Sequence, residues 1–316
     1  MKMIEFTRPM GSMVVAMAML TVGCSGGDKS ETEPEEPGAT PDEVLATLVR
    51  VEVLDYSPAP GQFVNEAPEY EEGDSQETMN KKATECLNDG DMISLGAWGG
   101  SVTLKLVEPI ENKANAKDFR IKGNAVYATS STEGLRYGSA EPGIVMVMSD
   151  TNGNGKADDI WCELKGDQTF NGCAEYEVTY YRPAADATDD QYISWRSTTG
   201  DEGYINRNRG FHTQDFFPMW IANTTELKFT GRRLPDNGHY NNATGKYDLM
   251  SYLGYADSHP NTVSESGLDI DDAIDENGKK VALKSIDFIK IYTGVLQANG
   301  PLGECSTEVA GVEKFK

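Results

Sequence analysis

Along most of the chain apolar residues come in short runs, many alternating with polar ones, and Gly, Asn, Asp or Pro ends nearly every run. The clearest are Leu45 to Leu54, Ser101 to Leu106, Gly143 to Met148, Tyr176 to Tyr181, Glu226 to Phe229 and Ile286 to Tyr292. A period of two puts successive side chains on opposite faces of a pleated strand, so these segments predict β-strands with at least one buried face. One stretch differs. Ser75 to Leu87 has few breakers, Asp74 or Ser75 to cap its start and Asn88-Asp89-Gly90 to end it, and it predicts one short helix. Many short strands between turn residues predict an all-β fold, a jelly-roll-like antiparallel β-sandwich with one or two short helices. No repeat or linker interrupts the chain after Pro41, so residues 43–316 are expected to form a single domain.

The start of the chain follows a different pattern. Lys2 and Arg8 precede the apolar run Met13 to Leu20, and Thr21-Val22-Gly23-Cys24 follows. A basic start, an apolar stretch too short for a stable bilayer span and a small residue at the end read as a secretory signal over residues 1–23. The small-residue-then-Cys ending resembles a bacterial lipobox, with Cys24 lipidated as the mature N-terminus. Thr21 stands where Leu is usual, and the alternative is an ordinary signal with an incidental cysteine. Ser25 to Gly38 contains five acids, Asp28, Glu31, Glu33, Glu35 and Glu36, and no large apolar residue, so residues 24–42 read as a disordered tether. An acidic run after a lipidated cysteine resembles the signal for the outer face of the outer membrane. A plain solvating spacer is the competing reading.

The chain carries 51 acidic against 28 basic residues, a formal charge of −23, and loss of the signal leaves about −24. That balance argues against nucleic acid or an anionic lipid surface as partner, since both need Lys and Arg to neutralise phosphate. It confines membrane contact to the lipid anchor. Five cysteines become four once Cys24 carries lipid. An even number in an exported chain suggests disulfides. Cys162 and Cys173 flank Gly166 and Asn171-Gly172, the chemistry of a hairpin, which pairs them and leaves Cys86 with Cys305. Four buried thiols are the alternative.

The sharpest local signal is Asp150-Thr151-Asn152-Gly153-Asn154-Gly155-Lys156-Ala157-Asp158-Asp159. Oxygen side chains at positions one, three and five and Gly at six match the front of a Ca²⁺ loop, with the Lys156 carbonyl next and Asp158, Asp159 or Glu163 to close the shell. Trp161 stands at position twelve, where a bidentate Glu is usual, so the expectation is a structural Ca²⁺ held in a β-loop; a Gly/Asn-rich turn is the alternative. The acidic stretch Asp269 to Gly278 lacks the glycine offset, and Asn277-Gly278 reads as a hairpin turn.

Catalysis has thin support. The three histidines, His212, His239 and His259, lie in scattered contexts, and no Ser or Cys sits in a nucleophile motif. The remaining clue is aromatic density from Tyr192 to Trp220 among Arg196, Arg207 and Arg209. Trp195, Tyr204 and Phe211 offer flat contact to a ligand, with Arg207 and Arg209 as hydrogen-bond donors. Several of these rings are expected to fill core instead, Phe217 and Trp220 above all.

Several phrases carry a resemblance: Tyr56-Ser57-Pro58-Ala59-Pro60-Gly61-Gln62-Phe63-Val64-Asn65, Ile93 to Gly96 with Gly99 to Leu104, Lys117 to Ala125, Glu141 to Asp150, Ile286 to Ile291 and Leu302 to Glu308. Together the chain resembles Bacteroidetes-type "cell surface protein" lipoproteins with a galactose-binding-like, jelly-roll sandwich. The resemblance implies a non-catalytic, surface-exposed lipoprotein. It would capture a glycan or small nutrient, including a corrinoid, for an uptake system with an outer-membrane transporter as partner. A secreted hydrolase of surface glycans and an adhesive or structural surface protein are the competing classes.

Overall fold

A computed structural model describes residues 46–128, 137–188, 190–207, 210, 212–221, 223–241, 246–299 and 303–316. All belong to one compact unit within Ala39–Lys316. In chain order the elements are β1 (Thr47–Val49), β2 (Val51–Ser57), α1 (Gln76–Asp89), β3 (Ile93–Ser94), β4 (Ser101–Glu111), β5 (Phe119–Ile121), β6 (Tyr137–Gly138) and β7 (Gly143–Met148). Then come β8 (Cys162–Leu164), β9 (Ala174–Tyr181), β10 (Gln191–Ser197), β11 (Glu202–Asn206), β12 (Glu226–Arg233), β13 (Gly238–Asn241) and β14 (Lys246–Met250). The last four are β15 (Ala273–Ile274), β16 (Ser285–Thr293), β17 (Glu308–Val309) and β18 (Val312–Lys314). The fold is all-β and sandwich-like, built from antiparallel sheets.

A six-stranded sheet, β15-β8-β7-β16-β4-β2, forms the centre. Its register lines up Val53, Leu104, Ile289, Val147 and Cys162 as one cross-strand row. All five belong to the largest core cluster. Each fully buried aliphatic of such a row contributes about 1.5–3 kcal/mol. The alternation in β7 shows the two faces: Val145 and Val147 enter that core, while Ile144 lies in a second cluster with Leu234, Tyr252, Tyr255, Tyr292 and Cys305. A third cluster fills the inner face of the four-stranded sheet β11-β10-β9-β12, where Val178, Tyr180, Ile193 and Ile205 meet Trp98, Phe216 and Phe217.

The helix forms where the sequence places it. Ser75 caps its start, Oγ accepting from Thr78 N at 3.2 Å, and Gly90 closes it at φ +82. Met79, Ala83 and Leu87, spaced four apart, are its buried stripe. Its polar positions Asn80, Thr84 and Asn88 follow the same spacing and bond to the backbone of β2, the edge strand of the central sheet.

The hairpin between Cys162 and Cys173 is not found. β8 pairs with β7 and β15, whereas β9 pairs with β10 and β12, so the two cysteines end in different sheets. Cys86, Cys162, Cys173 and Cys305 are all free thiols, and the expected Cys162–Cys173 and Cys86–Cys305 disulfides are absent. Burial explains this. Cys162 lies in the largest core and Cys86 packs on it, while Cys305 lies in the Ile144 cluster and Cys173 packs on that one. Each expected pair would join two separate clusters.

Asn277-Gly278 does form a tight turn, with Asp275 N donating to Lys279 O at 2.9 Å and Ile274 bridging Lys280. Among the described residues no helix is long and apolar enough to cross a membrane. Residues 1–42, where the signal, the lipidated Cys24 and the tether are expected, lie outside the described residues.

Candidate functional site

β10 and β11 form an antiparallel pair in which Trp195 faces Gly203. A Cβ at Gly203 would lie 2.7 Å from the Trp195 ring, so only glycine lets the indole lie across the neighbouring strand. Beside this pair is a cleft of about 150 Å³. Trp195, Gly203, Tyr204 and Ile205 form one wall, Ala97 and Trp98 from the β3–β4 connection a second, and Val295 to Ala298 with Glu304 and Cys305 a third. Tyr204 is 46% exposed, whereas Trp98 is fully buried.

Two polar atoms of this cleft's lining are unsatisfied. Glu304 Oε1 accepts from Gln62 N at 2.6 Å, but Oε2 has no hydrogen-bond partner among the described residues. Trp98 Nε1 likewise has none, although its backbone oxygen accepts from the Tyr180 hydroxyl at 3.0 Å. Buried orphans of this kind each cost about 1–3 kcal/mol, so the positions call for an explanation. Burial pushes the Glu304 carboxyl up to about 7, against the pull of the Gln62 and its own backbone N–H groups. Gly61 makes room for this side chain, since a Cβ there would stand 2.7 Å from Glu304 Oε1 and 2.8 Å from Gly96 Cα.

Of the ring and arginine positions expected to touch ligand, Trp195 and Tyr204 line the cleft together. Arg207 does not line it. Its guanidinium stacks 3.7 Å over Tyr192, and Nη2 donates to Ala187 O at 3.1 Å. Arg209 and Phe211 lie outside the described residues. Phe217 is fully buried as expected, while Trp220 is half-buried, stacks on Tyr56 at 5.6 Å and donates from Nε1 to Gln76 Oε1 at 3.0 Å. Sequence reasoning missed Trp98 and Glu304. Both lie in or beside the phrases Ile93–Leu104 and Leu302–Glu308, but with 51 acids in the chain no single Glu stood out.

A second acidic centre lies in the same region. Carboxylate oxygens of Glu141, Asp257 and Glu308 all come within 4.8 Å of one another. Asp257 Oδ1 accepts from Asn124 N and Ala125 N at 2.8 and 2.9 Å, and its Oδ2 from Glu308 N at 3.0 Å. Ser306 N donates to Glu141 Oε1 at 2.9 Å, and Ser306 Oγ to Glu308 Oε1 at 2.9 Å. Burial is the main cause that raises all three, Glu141 to about 8 and Asp257 to about 7, with Glu308 well above the carboxylate range. Mutual repulsion adds to the rise in Glu141 and Glu308. The trio ties the C-terminal segment, through Ser306 N and Glu308 N, to Glu141 and Asp257, and through Asp257 to the backbone of Asn124 and Ala125.

The Asp150 loop closes on itself. Asp150 Oδ1 accepts from Asn154 N at 3.1 Å and Oδ2 from Gly155 N at 2.7 Å, with Gly155 at φ +72. Asn152 Oδ1 and Asn154 Oδ1 accept from Asn154 N and Lys156 N at 3.0 and 2.8 Å. The amides of Asn152 and Asn154 donate to Asp158, and Thr151 and Asn152 reach Asp159. These bonds hold the Asp158 carboxyl below its ordinary value. The oxygen-only donor set suits a hard cation. Lys105 Nζ, 2.9 Å from Gly155 O, places a positive charge beside it that opposes one.

No known family model matches the chain, and no curated protein matches it in sequence.

Proposed function

We propose that this chain is a non-catalytic, lipid-anchored surface protein that captures a small ligand, a glycan or a small nutrient such as a corrinoid, for an uptake system. The observation that supports this reading is the Trp195–Tyr204 cleft, where two aromatic side chains share a lining with Glu304 and Trp98, whose buried polar atoms have no hydrogen-bond partner among the described residues. Aromatic walls with a few oriented polar groups are the common chemistry of small-molecule recognition. In the same reading Cys24 carries the lipid that holds the protein at the outer membrane, and the loop formed by Asp150, Asn152, Asn154, Lys156, Asp158 and Asp159 holds a structural Ca²⁺. The bound ion would neutralise the loop's carboxylates and fix its conformation.

Calorimetry and intrinsic fluorescence against a panel of glycans and corrinoids, with product analysis of the same mixtures, test the proposal. Binding without product is expected. Released sugar would replace capture with hydrolysis, and silence across the panel would favour adhesion. Membrane fractionation of Cys24→Ala tests the anchor: the variant is expected in the soluble fraction, and unchanged membrane association would overturn it.

A further inference from the structure

Resting on the capture reading, we infer that the Trp195–Tyr204 cleft takes a small organic cation, an ammonium-bearing molecule, rather than a neutral sugar. The lining decides between them. Among its described residues Glu304 is the single charged group, and no Lys, Arg or His is present. Three aromatic residues, Trp98, Trp195 and Tyr204, accompany it. A carboxylate with aromatic rings around a small volume is the arrangement that attracts an ammonium, through ion pairing and through the negative faces of the rings.

A sugar makes different demands. Each buried hydroxyl needs a partner, and this lining offers few: Glu304, the Trp98 N–H and Gln297, against Ala97, Ile205, Val295, Leu296 and Ala298. An alkylated ammonium needs one counter-charge and apolar contact for its methyl or methylene groups, which matches the wall. The whole-chain charge of −23 adds a field that draws cations toward the surface.

The unsatisfied Oε2 supplies the independent reason. A carboxylate oxygen without a partner, in a side chain only 4% exposed, is a costly thing to hold in a stable fold. Pairing with a cation that enters from the cleft removes that cost in the bound state. Oε2 and Trp98 Nε1 are both covered, so direct contact requires the cleft side chains to shift on binding. Burial pushes the Glu304 carboxyl up to about 7, so above that pH it is charged and acts across a layer of low dielectric, where it is screened much less than at the surface.

The test titrates the full mature chain with choline and with tetramethylammonium, at about pH 8 and fixed ionic strength, where Glu304 is charged, with glucose as the neutral comparison. Wild type is expected to bind both cations and not glucose. Glu304→Gln keeps the side-chain shape and removes the charge; it should weaken choline binding by about tenfold or more. Trp195→Ala and Tyr204→Ala should weaken it too, while Glu85→Gln, which removes an exposed acid on α1 far from the lining, should leave it unchanged. Thermal melts of each variant show whether it is folded, and Tyr204→Ala, at an exposed position, supplies the answer if Glu304→Gln does not fold. The inference is overturned if choline fails to bind wild type at millimolar concentration, or binds Glu304→Gln or Tyr204→Ala as well as wild type. Binding of glucose or a corrinoid without choline would overturn the cation while leaving capture standing, and binding of nothing would remove both.

Discussion

Asn88 bonds to the backbone of Val51 twice, Oδ1 accepting from Val51 N at 2.9 Å and Nδ2 donating to Val51 O at 2.8 Å. The side chain imitates a neighbouring strand. Thr84 and Asn80 extend the imitation along the edge of β2, taking the N–H groups of Val53 and Tyr56 at 2.9 and 3.0 Å. A helix thus covers a sheet edge that would otherwise present open hydrogen-bonding groups to another chain. Asn88→Ala is expected to destabilise the protein by about 1–3 kcal/mol, because two backbone groups lose their partner, and to increase aggregation. Urea denaturation and light scattering check both effects; a variant as stable and as soluble as wild type would show that the edge needs no cover.

The acidic trio makes stability depend on pH in a defined direction. Glu141, Asp257 and Glu308 hold protons in the folded protein at pH values where the unfolded chain has lost them. Their contribution is therefore complete below the ordinary carboxylate range and declines as pH rises through about 7 to 8. Glu304, raised to about 7, adds to the decline in the same window, while Asp74, Asp158 and Asp201 shift the opposite way and titrate below it. Unfolding free energy is expected to fall by a few kcal/mol, on the order of one pKa unit's worth per group or more, between pH 5 and 8. Glu308→Gln should reduce the slope, leaving the part due to Glu304, and an unchanged slope would remove the trio as a source.

Burial pushes every body thiol upward, Cys173 to about 11 and Cys305 well beyond its ordinary value, with Cys86 and Cys162 also raised. The thiolate is the reactive form, so alkylation of the native protein near neutral pH should be slow. After denaturation without reductant, peptide mapping should find alkylated Cys86, Cys162, Cys173 and Cys305. A disulfide-linked peptide would contradict the placement of these residues in separate clusters.

The loop from Asp150 to Asp159 gives a simple ligand-linkage experiment. With calcium a hundredfold above its dissociation constant, a site in the folded protein adds about 2.7 kcal/mol. A chelator should then lower the melting temperature of wild type and leave Asp150→Ala unmoved. Superimposable wild-type melts with calcium and with chelator would make the loop a turn held by its own hydrogen bonds and by Lys105.

Local pattern determined much of the strand content. Gly143 to Met148 is a strand at its expected bounds, Ile286 to Tyr292 falls within β16, and Ser75 starts the helix as its side chain foretold. These features depend on neighbours in the chain: alternation, a capping oxygen, a turn-forming Asn-Gly. Trp195 and Tyr204 stood out in the sequence only as part of a dense aromatic stretch, and their meeting across β10 and β11 came from the strand pairing.

Partners distant in sequence were decided by tertiary structure alone. Gln62 meets Glu304 and Ser94 meets Ser306 across more than half the chain, and no periodicity encodes such a meeting. Arg207 reads as a ligand donor beside aromatic residues, yet the ring it serves is Tyr192. Cys162 reads as a hairpin cysteine, yet its row in the central sheet turns it into one core while Cys173 packs on another. Side-chain type and local period set which segments become strands; which strands neighbour one another sets which side chains meet. The cleft and the acidic trio belong to that second level, where burial turns ordinary glutamates and aspartates into groups with unusual proton affinity.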